Sequence, residues 1–248
     1  LLNFAVGGLL LIGTLLVYAG TREWFRSYGL DPEYYFKRHT LNIVIGGLLA
    51  YGTTLIDYRL LRAYTPIVWL AAVIGLTIVL IPGLGTEING ARAWISLPGG
   101  FQLQPAELAK IAIIVGISMI LSDRDQTDKD PTDLDVIKAL AIAAVPILLI
   151  VAQPDLGTVL IISAAVVAMI GASGAPARWV VGLLLLAVVG VFTAVQTGAV
   201  SQYQVARLQS FVDPSADPQA SGYQLRQSRI TIGSGGLFGK GLFEGPQT

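Results

Sequence analysis

The sequence predicts an all-α polytopic membrane protein: a bundle of seven transmembrane helices over residues 1–197, then a long, partly helical loop over 198–248. Three observations predict it. Of 248 residues, 54% are hydrophobic and 13% charged, and the mean hydropathy is +0.67, a balance foreign to water-soluble domains. The apolar residues gather into seven runs of about 17 to 25 positions, the length a helix needs to cross hydrocarbon. Charged residues lie almost entirely between the runs.

The runs fall near Leu1–Ala19, Thr40–Ile56, Tyr64–Leu84, Pro105–Leu121, Val136–Ala152, Leu156–Ala172 and Arg178–Thr197. The first has neither a basic leader nor a small-residue cleavage site, so it reads as a span, and its start within an apolar run without methionine suggests a trimmed N-terminus. Pro105 suits the first turn of the fourth. Pro154 and Gly157 part the fifth and sixth with almost no loop between them. The stretch DRDQTDKDPTDLD, 123–135, lacks the central glycine and closing glutamate of a calcium loop and reads as solvated. Val205, Leu208, Phe211 and Val212 recur at helical spacing beside Arg207, the pattern of an amphipathic helix lying on the membrane surface. No internal repeat or low-complexity linker divides the chain, so one helical domain is the economical reading.

Basic loop residues do not fix an orientation. Parity does group the loops: with seven crossings, 20–39, 85–104, 153–155 and 198–248 share one face, the working face. The short loops around 57–62, 122–135 and 171–177 take the other.

Composition excludes several chemistries. Sixteen lysines and arginines balance sixteen aspartates and glutamates, so no cationic field attracts nucleic acid. The absence of cysteine removes thiolate catalysis, disulfides and cysteine metal sites. His39, the single histidine, cannot build a Ser/His/Asp relay or a multi-histidine metal site. Carboxylates, lysine, arginine, hydroxyls and amides remain.

Within the spans, Glu107 and Lys110 share a face of the fourth helix, and Asp155 follows Pro154 at a break. A charge inside lipid costs about 3 kcal/mol on insertion scales, so such groups pair or face a polar cavity. The sequence therefore predicts a mutually satisfied cluster of Glu107, Lys110 and Asp155 on the working face. The alternatives are an interfacial ion pair with Lys110 snorkelling to the headgroups and an ordinary N-cap role for Asp155. In 89–107, Arg92 among Trp94, Phe101 and glycines suits a re-entrant or interfacial segment, with Arg92 a candidate anion contact; an aromatic belt anchor is the plainer reading. Arg207, Arg226, Arg229 and Lys240, beside two glycine clusters in 222–248, are candidate ligands for an anionic headgroup.

Three blocks carry a resemblance: NGARAWI with QPAELAK, AQPDLGT, and FVDPSADPQASGYQLRQSRITIGSGGLFGKGLFEGPQT. In order and spacing they resemble the signatures of the SEDS family of peptidoglycan glycosyltransferases, and the GKG and GPQ ending is most similar to the elongation branch, which serves cell shape. Ala106 stands where the family usually has serine and Thr231 where it often has alanine. The resemblance implies a ten-helix enzyme of the bacterial inner membrane that polymerises lipid II into glycan strands and releases undecaprenyl pyrophosphate. It also implies a class B penicillin-binding protein as partner, a divalent cation (magnesium or manganese), an extracytoplasmic working face and a cytoplasmic N-terminus. By the same resemblance Arg92, Gln104, Glu107, Lys110 and Asp155 occupy functionally sensitive positions, Lys110 and Asp155 match a buried polar pair, and the catalytic aspartate lies beyond residue 248.

Two rivals stand beside this reading. A flippase for the lipid-linked precursor requires a polar track through the membrane, whereas here Lys138 is the lone comparable charge near the far side. A non-catalytic scaffold for the crosslinking enzyme would use lipid-facing surfaces such as the seventh span with Gly182 and Gly190.

Overall fold

The computed structural model describes residues 1–88, 90–122, 130–197, 223–236, 239–241 and 243–245. It is mostly helical. Seven long helices appear where the apolar runs predict them: α1 (Leu2–Ser27), α2 (Tyr34–Thr54), α3 (Tyr58–Leu80), α4 (Pro105–Ser122), α5 (Asp133–Ala152), α6 (Leu156–Ala172) and α7 (Ala177–Gln196), joined by a shorter α8 (Tyr223–Gly235). Five of them, α1, α3, α4, α5 and α7, are long and apolar enough to cross a membrane. The other two fall just short of that description for separate reasons. α6 is apolar but has 17 residues, while α2 carries Lys37, Arg38 and His39 near its start and Asn42 one turn later. The predicted surface helix around Arg207 lies outside the described residues.

The all-α reading needs one correction. The segment expected to be a re-entrant or interfacial loop is a three-stranded antiparallel meander, β1 (Thr86–Ile88), β2 (Ala91–Leu97) and β3 (Phe101–Leu103), in the order β1-β2-β3. Gly90 takes φ +80° at the first turn, a backbone state that favours glycine. Along β2, Ala91 and Ala93 are buried while Arg92 and Trp94 are less so, the period of two that a half-covered sheet requires. Gly85 leads into β1 where a Cβ would overlap the Val79 carbonyl oxygen.

The chain divides into two compact units. One comprises Leu1–Leu55 with Thr193–Thr248. Here the turn from α1 to α2 is packed by aromatic rings: Phe25 lies 5.0 Å edge-on from Tyr35 and 6.0 Å stacked on Tyr34. Arg22 sits over the rings of Tyr18 and Phe243 at 5.7 and 5.5 Å, within reach of cation–π attraction.

The other unit, Ile56–Phe192, holds α3, the sheet, α4, α5, α6 and most of α7. Its core runs through Ala72 and Leu76 of α3, Ala106, Ala109, Ala112, Ile113 and Ile117 of α4, Val136, Ala139, Ala143 and Ile150 of α5, and Ile162, Val166 and Ile170 of α6. Small residues let the α4 backbone approach its neighbours closely, the device that drives helix association where lipid is as apolar as leucine. At Gly116 an added Cβ would lie 3.2 Å from Ile142 Cγ2 of α5. Pro146 inside α5 supplies no N–H to the carbonyl four residues back, which is that of Ile142. The Trp69 indole of α3 donates to that oxygen at 3.0 Å.

Thr132 and Asp135 form a reciprocal capping box that starts α5. Asp133 beside it binds Arg178 Nη2 at 2.6 and 2.7 Å and accepts from Trp179 Nε1 at 2.7 Å, tying the α5 start to that of α7. Two of the six aspartates read as a solvated loop thus cap and anchor α5.

Candidate functional site

Two charged positions lie where α4 begins. Glu107 occupies the first turn of α4, where a carboxylate is favoured by the exposed N–H groups and the helix dipole. Lys110 Nζ, one turn further on, lies 2.6 Å from Glu107 Oε1. The lysine side chain is 28% exposed and the glutamate 59%, so the pair straddles the boundary between the helix core and its surroundings. Lys110 also lines an apolar cavity of about 50 Å³ between α4 and α6, with Ile113, Ile114, Ile161, Ile162 and Met169 among its walls.

Asp155 is the N-cap of α6. Its Oδ1 accepts from the Thr158 backbone N–H at 3.1 Å and its Oδ2 from the Thr158 hydroxyl at 2.7 Å. Oδ2 also accepts from Gln104 Nε2 at 3.1 Å, a contact bridging 51 positions of sequence. Here the structure departs from the expected three-member cluster: Lys110 pairs with Glu107, and the contacts of Asp155 run to Gln104 and Thr158. The reason is local. Thr158 sits three residues into α6, where a cap carboxylate finds an unpaired N–H, and Gln104 immediately precedes Pro105 at the mouth of α4.

Arg92 on β2 faces Glu87 of β1 across the strand pair, with Nη2 3.8 Å from Glu87 Oε2. Arg226 and Arg229 are exposed on α8, three residues apart and so on one face. Lys240 is exposed in the turn that follows. Of the glycines expected to form an anion cradle, Gly233 and Gly235 belong to the last turn of α8 and Gly236 follows with φ +56°. Arg207 lies outside the described residues.

Sequence reasoning missed Gln153. It is fully buried, and its Nε2 donates to the Leu76 carbonyl of α3 at 3.0 Å. The signal was present in the AQPDLGT block, where glutamine follows an apolar run and precedes a helix break. The sheet was also missed, although Asn89–Gly90 between alternating residues is a strong short-range hairpin signature.

This is the anatomy of a membrane-embedded helical bundle that holds fixed charges at helix starts and a small sheet beside them. The chain belongs to the SEDS family: the FtsW/RodA/SpoVE family model, described as cell cycle protein, matches residues 1–248. It is 38% identical over 244 residues to a probable peptidoglycan glycosyltransferase FtsW of Legionella pneumophila, covering 98% of this chain and 60% of that protein. To stage V sporulation protein E of Bacillus subtilis it is 34% identical, covering 96% of this chain and 64% of that one. Among solved structures, a chain from work on polymerization and crosslinking by a peptidoglycan synthase complex superposes with TM-score 0.73 at 32% identity, over 95% of this chain and 65% of the other. RodA, the rod shape determining protein of Thermus thermophilus, gives TM-score 0.54 at 29% identity over 73% of this chain and 58% of the other. The chain thus spans some 60 to 64% of the length of these two curated relatives.

Proposed function

We propose that the protein is a multi-pass enzyme of the bacterial inner membrane that polymerises lipid II into glycan strands at the extracytoplasmic face, crossing the membrane seven times between residues 1 and 197. The observation that carries this reading is the family match along the whole chain, with the QPAELAK and AQPDLGT blocks meeting in space through the Gln104–Asp155 contact. The GKG and GPQ ending supports a role in elongation; the relatives named FtsW and SpoVE leave division and sporulation as the outcomes a complementation test must separate. A class B penicillin-binding protein is the proposed partner, supported by the similarity to a chain of a complex that couples polymerization to crosslinking.

Glycosyl transfer breaks the bond between the anomeric carbon of the donor sugar and pyrophosphate, and forms one to an acceptor hydroxyl. It requires a base for the hydroxyl proton and positive charge for the leaving pyrophosphate. Both oxygens of Asp155 are already engaged as acceptors, so Asp155 serves as a fixed anion that organises Gln104 and the α6 start. The base is assigned, by family pattern, to an aspartate beyond residue 248. Arg226, Arg229 and Lys240, exposed cations, are the proposed contacts for the pyrophosphate, and Arg207 is proposed as a fourth from the sequence. Among the described residues no three or more His, Cys, Asp or Glu side chains gather as a metal site, so these residues do not by themselves provide a ligand set for the divalent cation, and no step is assigned to it.

The test is polymerisation of labelled lipid II by the full-length protein with its partner. Glycan polymer that disappears in Lys110→Ala, with the variant still inserted and bound to the partner, is expected. Lipid II translocation without polymer would replace this reading with a flippase, and neither activity would leave a scaffold.

A further inference from the structure

Three contacts join α3, the start of α4 and the break between α5 and α6 in a closed junction. At Gly75 of α3 a Cβ would stand 3.0 Å from Pro105 Cβ, so the start of α4 presses directly on the α3 backbone. The next residue, Leu76, accepts through its carbonyl from Gln153 Nε2 at 3.0 Å. The residue before Pro105, Gln104, donates to Asp155 Oδ2 at 3.1 Å. Positions 75–76, 104–105 and 153–155 therefore lock α3, the start of α4 and the α5–α6 break to one another.

Gln153 is the junction's fully buried polar side chain: it is 0% exposed, and its Oε1 has no hydrogen-bond partner among the described residues. A buried amide oxygen left unpaired is costly, and a leucine would fill the same volume without that cost. What leucine could not supply is the Nε2 donor to Leu76. We infer that Gln153 is a positioning residue: its buried bond to α3 fixes the α5–α6 break at the depth where Asp155, two residues on, meets Gln104 and caps α6. The consequence for chemistry rests on the glycosyltransferase reading; the consequence for Asp155 geometry does not.

The test uses the full-length protein carrying Gln153→Leu, assembled with its partner. Amide exchange at Thr158, whose N–H is held by Asp155 Oδ1, is expected to accelerate by at least about tenfold, while amides in the middle of α4 and α7 keep their rates. From rates measured over a range of lipid II concentrations, kcat is expected to fall about fivefold or more with KM unchanged, the pattern of reacting groups misplaced in the transition state with substrate binding intact. Unchanged exchange at Thr158 overturns the inference, as does uniform acceleration through α4, α5 and α6, which would make Gln153 a packing residue. So does wild-type kcat in a polymerising enzyme. If the parent protein makes no polymer, the function reading fails while the exchange arm still decides the positioning role. Should Gln153→Leu not fold, Gln153→Met, which keeps the length of the side chain and has no donor, is read the same way; failure of both to fold also overturns the inference.

Discussion

Asp31 shows how single charges act on this protein outside the membrane. The Glu33 backbone N–H and the Lys37 ammonium both donate to its carboxylate, at 2.9 and 3.0 Å, and hold its pKa below the ordinary aspartate value. Lys37 is raised in turn by its hydrogen bonds to Asp31 and Glu33. The sign follows: the Asp31 tether is complete above about pH 3.9 and is lost as pH falls through its lowered value, while the Lys37 contribution is complete below about pH 10.4 and is lost as pH rises through its raised one. A side-chain NMR titration should place the Asp31 midpoint below that of an unpaired aspartate, and Lys37→Met should raise it only in part, because the backbone donor is the larger cause. Asp155→Ala removes an N-cap and should cost about 1 kcal/mol, read as a fall of some 2–4 °C in Tm. The charged candidates at this scale were legible in the sequence, since Glu107, Lys110 and Asp155 interrupt apolar runs that exclude charge. Their pairing was not: spacing places Lys110 over Glu107, but nothing in sequence tells Asp155 to take Gln104, 51 positions away.

Among the elements, α5 depends on a partner for its proline. Trp69→Phe keeps the ring in place but leaves the Ile142 carbonyl, freed by Pro146, without a donor. A loss of about 1–3 kcal/mol is expected from chemical unfolding in detergent. Gly85→Ala drives a Cβ into the Val79 carbonyl at the entry to β1 and should cost about 1–3 kcal/mol, with faster amide exchange confined to the meander at first. The helices were legible because apolar runs of the right length leave few alternatives in lipid. The sheet escaped a reading organised by long runs: its strands are 3, 7 and 3 residues long, and its alternating alanines carry little hydropathy. The turn pair Asn89–Gly90 was the one local cue. For the same reason the break at Pro154 was visible, while Gln153, whose role lies in a contact 77 positions away, was not.

At the largest scale, the Ile56–Phe192 unit is a helical bundle with small residues at its helix contacts, an ion pair at the start of α4 and a capped break between α5 and α6. Family membership extends along all of it, and the central claim is that this arrangement serves glycan polymerisation. Transport would need a polar track through the bundle, whereas here the charged pairs sit at helix starts, Glu107 with Lys110 where α4 begins and Asp133 with Arg178 where α5 and α7 begin. The most direct measurement is polymerisation of labelled lipid II by the full-length protein with its partner, comparing wild type with Lys110→Ala and quantifying partner binding for each. The account predicts glycan polymer from wild type and a loss of at least about a hundredfold in the variant, with partner binding intact, the scale of losing a side chain that holds the site in its productive geometry. Equal polymer from both, or none from wild type in the presence of its partner and divalent cation, would contradict it.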